Sequence, residues 1–128
     1  MNVAVQLWLV AALVTGSIAA QARCELGDID VKITKAVWHN RCSKKECIEF
    51  RGSALLTSRC DESAAVQIRL VGHDASGAPI AVREMWPYSV SNVPPGEFPF
   101  SIDLWLKYQP DIRGFDIAVT QVRPVTHK

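Results

Sequence analysis

The first 22 residues, Met1 to Ala22, carry no charged side chain; all 14 Lys+Arg and all 13 Asp+Glu of the 128-residue chain come after them. No Lys or Arg precedes the apolar run, so the amino terminus alone supplies positive charge there. An excess of one sign is also lacking. The net formal charge is +1 at pH 7, too small for the long-range field that gathers nucleic acid or an anionic membrane surface. Glycine and proline, at 7 each, are too few for a collagen-like or low-complexity chain. No stretch has a sustained helical period; Ser63 to Ile68 comes nearest and reads better as the start of a strand. The length leaves room for one small domain and no second core.

Catalytic motifs are missing as well. There is no G-x-S-x-G elbow, H-E-x-x-H helix, phosphate loop or dinucleotide glycine pattern. His39, His73 and His127 lie far apart in sequence. His73 and Asp74 are neighbours, and neighbours on a strand point to opposite faces, so His73 reads as a rim residue beside a turn. Asp61-Glu62 reads as a solvated turn pair. A nucleophile needs a base in reach and a third group to orient it, and no such set is visible. The expectation is a non-catalytic protein without a cofactor.

What is present begins with Val3 to Val14, apolar apart from Gln6, followed by Gly16, Ser17, Ala19, Ala20 and Ala22. This is the layout of a secretory signal peptide cleaved after Ala20-Gln21-Ala22. The expected organisation is therefore a signal peptide over 1–22 and one domain over 23–128, periplasmic or secreted, with no membrane span after cleavage. An uncleaved anchor is the competing reading, weakened by Gly16 and the Ala/Ser-rich end.

All four cysteines, Cys24, Cys42, Cys47 and Cys60, follow that segment. An even count in a short exported domain reads as a disulfide framework with three possible pairings. Residues 29 to 39 and 48 to 57 read as two strands joined at Cys42 to Cys47. If Cys42 faces Cys47, opposed residue numbers sum to 89. Ile33 then faces Leu56, Val37 faces Gly52, His39 faces Phe50 and Ile29 faces Cys60. Cys24 can fold back over Gly27 to meet Cys60. This arithmetic favours Cys42–Cys47 and Cys24–Cys60. The chemical alternative is a soft-metal site: His39, Cys42 and Cys47 form an H-x2-C-x4-C cluster suited to copper or zinc, although only three ligands can be named.

The dominant period along the rest of the chain is two. Phe50, Ala54 and Leu56 alternate with Arg51, Ser53 and Leu55, and Val66, Ile68 and Leu70 with Gln67, Arg69 and Val71. Ile80, Val82 and Trp86 form a looser stripe; Phe98, Phe100, Ile102, Leu104 and Leu106 form the clearest one, and Phe115, Ile117 and Val119 the last. Asp74-Ala75-Ser76-Gly77 supplies a carboxylate to cap a turn and a glycine able to take positive φ, and Gly96 and Gly114 are two further such glycines. Strands spaced in this way predict a sandwich of two antiparallel sheets.

These features together resemble the FxLYD-type family of exported immunoglobulin-like sandwich domains, over about residues 29 to 123. The resemblance rests on the opening strand Val31 to Ala36, the central glycine of Ile48-Glu49-Phe50-Arg51-Gly52, the Pro95-Gly96-Glu97 step before Phe98, and the final strand Phe115 to Val122. The name motif falls on Leu70-Val71-Gly72-His73-Asp74, where Asp74 and the following Gly77 match while Leu70, Gly72 and His73 replace the aromatic and leucine positions. The resemblance implies an all-β, antiparallel immunoglobulin-like β-sandwich of about six to seven strands, and fold more than function.

Aromatic residues supply the candidate binding surface. Trp38 and Trp105 fall on strand faces opposite their neighbours' apolar stripes, and Trp86 and Tyr88 sit at a strand end. Exposed tryptophan and tyrosine bury large area with few rotatable bonds and are enriched at hot spots. Arg41, Lys44 and Lys45 make the hairpin tip basic. The expected partner is another extracytoplasmic protein.

Overall fold

The computed structural model describes residues 24–125; the signal-peptide assignment and His127 lie outside them. The chain forms six strands: β1 Ile29–Asn40, β2 Ile48–Ser58, β3 Ala64–His73, β4 Pro79–Met85, β5 Gly96–Ser101 and β6 Gly114–Pro124. Short 3-10 turns at Leu26–Asp28, Lys45–Cys47 and Tyr88–Val90 complete the regular structure. The strands make two antiparallel three-stranded sheets, ordered β1-β2-β5 and β4-β3-β6. The protein is all-β and sandwich-like.

Period-two patterning explains which strands lie at the centre. On β2, Phe50, Ala54 and Leu56 point inward and are fully buried; on β3, Ala64, Val66, Ile68 and Leu70 do the same from the other sheet. Burying such side chains contributes about 1.5–3 kcal/mol each for the larger ones. Phe50 meets Phe115 of β6 across the sheets with ring centroids 5.0 Å apart. On β4 the phase is the reverse of the looser sequence stripe. Met85 and Ala81 oppose the inward Ile68 and Gly72, so Val82 and Glu84 stand on the outer face with Val71 and Arg69.

Both disulfides close, Cys24 with Cys60 and Cys42 with Cys47. Cys24 reaches Cys60 because the Leu26–Asp28 turn folds the chain back, and Arg59 ties that turn down. The Arg59 N–H donates to the Asp28 carbonyl at 2.9 Å, and its guanidinium donates to Asp30 and to the Gly27 carbonyl.

The β1–β2 register differs from the sequence arithmetic. Near the hairpin tip paired numbers sum to 88, as in Trp38 opposite Phe50, and beyond a bulge to 87, as in Val31 opposite Leu56. Ile33 faces Ala54, not Leu56; Ala36, not Val37, faces Gly52; and Ile29 faces Ser58, not Cys60. The bulge inserts Thr34, whose hydroxyl lies 2.9 Å from that of Ser53. An extra residue reverses every face beyond it. Ala36 and Trp38 therefore turn inward, and Val37 and His39 turn out.

The Phe98-to-Leu106 stripe is also not one strand. β5 ends at Ser101, and the chain turns while still following β2. The Ile102 N–H donates to the Gly52 carbonyl at 3.0 Å and the Leu104 N–H to the Phe50 carbonyl at 2.8 Å. Ile102 and Leu106 stay buried, but Leu104 is exposed.

Candidate functional site

The β1–β2 tip is held by short-range chemistry. Asn40 Oδ1 accepts the N–H groups of Cys42 and Ser43 at 3.1 and 2.7 Å, and Ser43 takes φ 66°. The Cys42–Cys47 disulfide spans the loop, and the Arg41 N–H donates to the Cys47 carbonyl at 3.1 Å. Arg41, Lys44 and Lys45 all project into solvent.

Against this tip lies the chain that follows β5. Asp103 anchors it. Its carboxylate accepts the Gly52 N–H at 2.7 Å and meets the Arg51 guanidinium at 3.4 Å. The Gly52 N–H, aided by the Ser101 hydroxyl and by Arg51, holds the Asp103 carboxyl below its ordinary range. Arg51 in turn donates to Glu49 at 2.8 Å, and Arg41 approaches the same carboxylate at 3.8 Å. Gly52 is required here because the anchored chain passes so close: a Cβ would lie 2.8 Å from Ile102 and 2.9 Å from the Lys35 carbonyl oxygen.

Between tip and anchored chain opens a groove of about 540 Å³, within the range of ligand sites. Ile48 lines it above the buried Phe50 and Leu106, Tyr108 and Leu104 form part of its rim, and Lys45, Lys107, Glu46 and Glu49 line it with charges of both signs. Neither lysine has an acidic partner among the described residues. Leu104 combines two unfavourable features: φ is 68°, in the left-handed region, and 59% of the residue is exposed. A bulky side chain there costs about 1–2 kcal/mol. Backbone outliers of this kind cluster at functional sites.

The four aromatic candidates part company. Trp38 is not on an outer face. Its ring packs edge-on to Phe50 at 5.5 Å and Tyr108 at 5.1 Å, and lies 5.8 Å from Phe115. Trp105 likewise packs against the core, 6.3 Å from Phe100. The bulge corrects the first assignment and the turn after Ser101 the second. Trp86 is half-buried beneath the Arg123 guanidinium, 4.2 Å from the ring centroid, and Tyr88 is 93% exposed. Leu104, Lys107 and Tyr108 were not legible as a site, because the stripe around Leu104 reads as core.

The soft-metal alternative loses its donors. The Cys42 and Cys47 sulfurs are bonded to each other, and among the described residues no group of three or more His, Cys, Asp or Glu side chains gathers. His73 is half-buried, with Nε2 3.3 Å from Asp116, and its ring covers Gly114 so closely that a Cβ there would collide with it. Gly114 is needed for that space, not for positive φ, which only Gly77 and Gly96 adopt among the described glycines. Asp61 and Glu62 are exposed. Among the described residues no helix is long and apolar enough to cross a membrane. No known protein family, curated protein or solved structure matches the chain.

Proposed function

We propose that the protein is a non-catalytic interaction domain acting outside the cytoplasm, in the periplasm or secreted, where its groove receives a segment of another exported protein. The observation that carries this reading is Leu104, fixed in a left-handed conformation at the rim of the groove with its side chain in solvent. Tyr88, almost fully exposed two residues after Trp86, is a second candidate anchor of hot-spot type. Two disulfides suit an oxidising compartment, and with no free cysteine among the described residues a thiolate nucleophile is not offered.

An immunoglobulin-like fold is the finer reading of the sandwich. With β1, β2 and β5 as strands A, B and E, and β4, β3 and β6 as C′, C and F, both sheet orders follow that topology. Two residues on which the FxLYD-type resemblance rests, Asp74 and Gly77, form a turn in this chain. Asp74 Oδ1 accepts the Ser76 and Ala78 N–H groups, and Gly77 takes φ 88°. Gly72 stands where Ile112 comes within 2.9 Å of a would-be Cβ.

The test is photocrosslinking from a reactive side chain at position 104, 88 or 32 in the exporting cell. A discrete protein adduct from 104, with none from the outer-face position 32, supports the reading. Adducts from 32 alone, or hydrolytic or redox activity in the purified protein, reject it.

A further inference from the structure

The two disulfides sit in opposite surroundings. Cys60 is only 7% exposed, and Cys24, half-buried, packs against the core. A thiol approaching that bridge finds one cysteine sealed and the other half covered. Cys42, in contrast, stands exposed at the β1–β2 tip, with Cys47 half-buried. Charge at the tip also favours exchange. Residues 41–47 hold three cations, Arg41, Lys44 and Lys45, against one carboxylate, Glu46. Neither Lys44 nor Lys45 has an acidic partner among the described residues, and Arg41 approaches Glu49 only to 3.8 Å. Cations beside a disulfide attract an incoming thiolate and stabilise the thiolate that leaves.

The tip is held by bonds that do not need the sulfur bridge. Asn40 Oδ1 accepts the Cys42 and Ser43 N–H groups. The Cys47 N–H donates to the Lys44 carbonyl at 3.0 Å, and the Arg41 N–H to the Cys47 carbonyl. The bridge closes a loop of only 5 residues, so opening it releases little chain entropy. Cys42 and Cys47, with Cα atoms 5.6 Å apart, then remain neighbours able to close again. Opening is a local event here, of the kind that a folded domain tolerates without unfolding.

We propose that the Cys42–Cys47 disulfide is a thiol–disulfide exchange site, opened by a dithiol reductant while the Cys24–Cys60 bridge and the fold stay intact. One thiolate of the dithiol attacks the exposed Cys42 Sγ. The Cys42–Cys47 bond breaks, its electron pair leaves on Cys47 Sγ, and that thiolate takes up a proton. A mixed disulfide now joins Cys42 to the dithiol. The second thiol of the dithiol loses its proton and attacks the dithiol's own sulfur in that bond, releasing Cys42 as a thiolate that is protonated in turn. Two electrons and two protons have passed to the tip, and the dithiol has become a disulfide. The protein is the substrate of this exchange, reacting once per bond, and not its catalyst. The exchange is independent of what the groove receives.

The experiment treats the disulfide-intact protein with dithiothreitol at neutral pH, quenches samples over time with an alkylating agent, and locates the modified cysteines by peptide mass. Circular dichroism follows the fold in parallel. The expected result is alkylation of Cys42 and Cys47 together, about tenfold or more faster than of Cys24 and Cys60, with the spectrum unchanged. The double variant Lys44→Glu, Lys45→Glu alters two exposed side chains and should slow opening of the tip about threefold or more. Oxidised dithiothreitol or glutathione in excess should then restore the Cys42–Cys47 bond. Simultaneous opening of both bridges, earlier opening of Cys24–Cys60, or loss of the fold as the tip opens overturns the proposal. So does a rate indifferent to the double charge reversal, or a tip that fails to close again.

Discussion

Asp103 Oδ1 accepts the backbone N–H of Gly52 at 2.7 Å, and this side-chain bond stands where the β2–β5 ladder would otherwise supply a carbonyl. The next ladder-like bonds on either side, Ile102 to Gly52 and Leu104 to Phe50, are backbone bonds. One carboxylate therefore lets the chain leave the strand without leaving β2, and thereby builds the groove wall.

Removing that acceptor strands a buried N–H. Asp103→Ala should lower unfolding free energy by about 1–3 kcal/mol at pH 7, read from urea denaturation. An unchanged midpoint would mean that water replaces the carboxylate.

The pH dependence follows from the lowered Asp103 pKa. A carboxyl whose folded pKa lies below its ordinary 3.8 contributes stability that is complete above that value and is lost as pH falls through the folded pKa. Thermal midpoints should thus decline below about pH 4. Asp103→Asn should flatten part of the decline, leaving a remainder from Asp74, whose pKa is lowered mainly by the Ser76 hydroxyl and the Ala78 N–H.

Gly52 and Gly72 both crowd a neighbour, yet they should respond unequally. A Cβ at Gly52 meets the Lys35 carbonyl oxygen at 2.9 Å, a backbone atom that cannot step aside, as well as Ile102. At Gly72 the crowding comes only from the Ile112 side chain. Gly52→Ala should cost about 2–3 kcal/mol and Gly72→Ala about 1 kcal/mol or less, measured in parallel denaturation curves. Equal costs would mean that the β1 bulge yields.

The disulfides differ in the loop they close: 36 residues for Cys24–Cys60 and 5 for Cys42–Cys47. Chain entropy predicts losses of about 4 and about 2 kcal/mol on paired replacement by alanine. The reverse ranking would show that the tip disulfide shapes the native groove rather than the unfolded chain.

Leu104→Asn should raise stability by about 0.5–1 kcal/mol, because asparagine tolerates the left-handed region. The same change should weaken partner binding by removing the apolar rim. A destabilised variant would show instead that Leu104 is packed.

Much of the fold was readable from local pattern. Alternation along Phe50 to Leu56 and Val66 to Leu70 located the two central strands, since a strand places alternate side chains on opposite faces whatever surrounds it. The Asp74-to-Gly77 turn and the positive φ of Gly96 were equally local, set by an acceptor side chain and the lack of a Cβ. The order of cysteines along a hairpin specified their pairing even with the register one or two residues out, because both bridges lie near strand ends where the chain can adjust. Tertiary structure alone decided the Thr34 bulge, and with it the inward turn of Trp38 onto Phe50, Tyr108 and Phe115. It alone also stopped β5 at Ser101 and turned Leu104 outward. Period-two patterning assumes an unbroken strand; a single extra residue or a side-chain acceptor from 51 positions away resets the phase, and its energy comes from packing across the sheets that no local window contains.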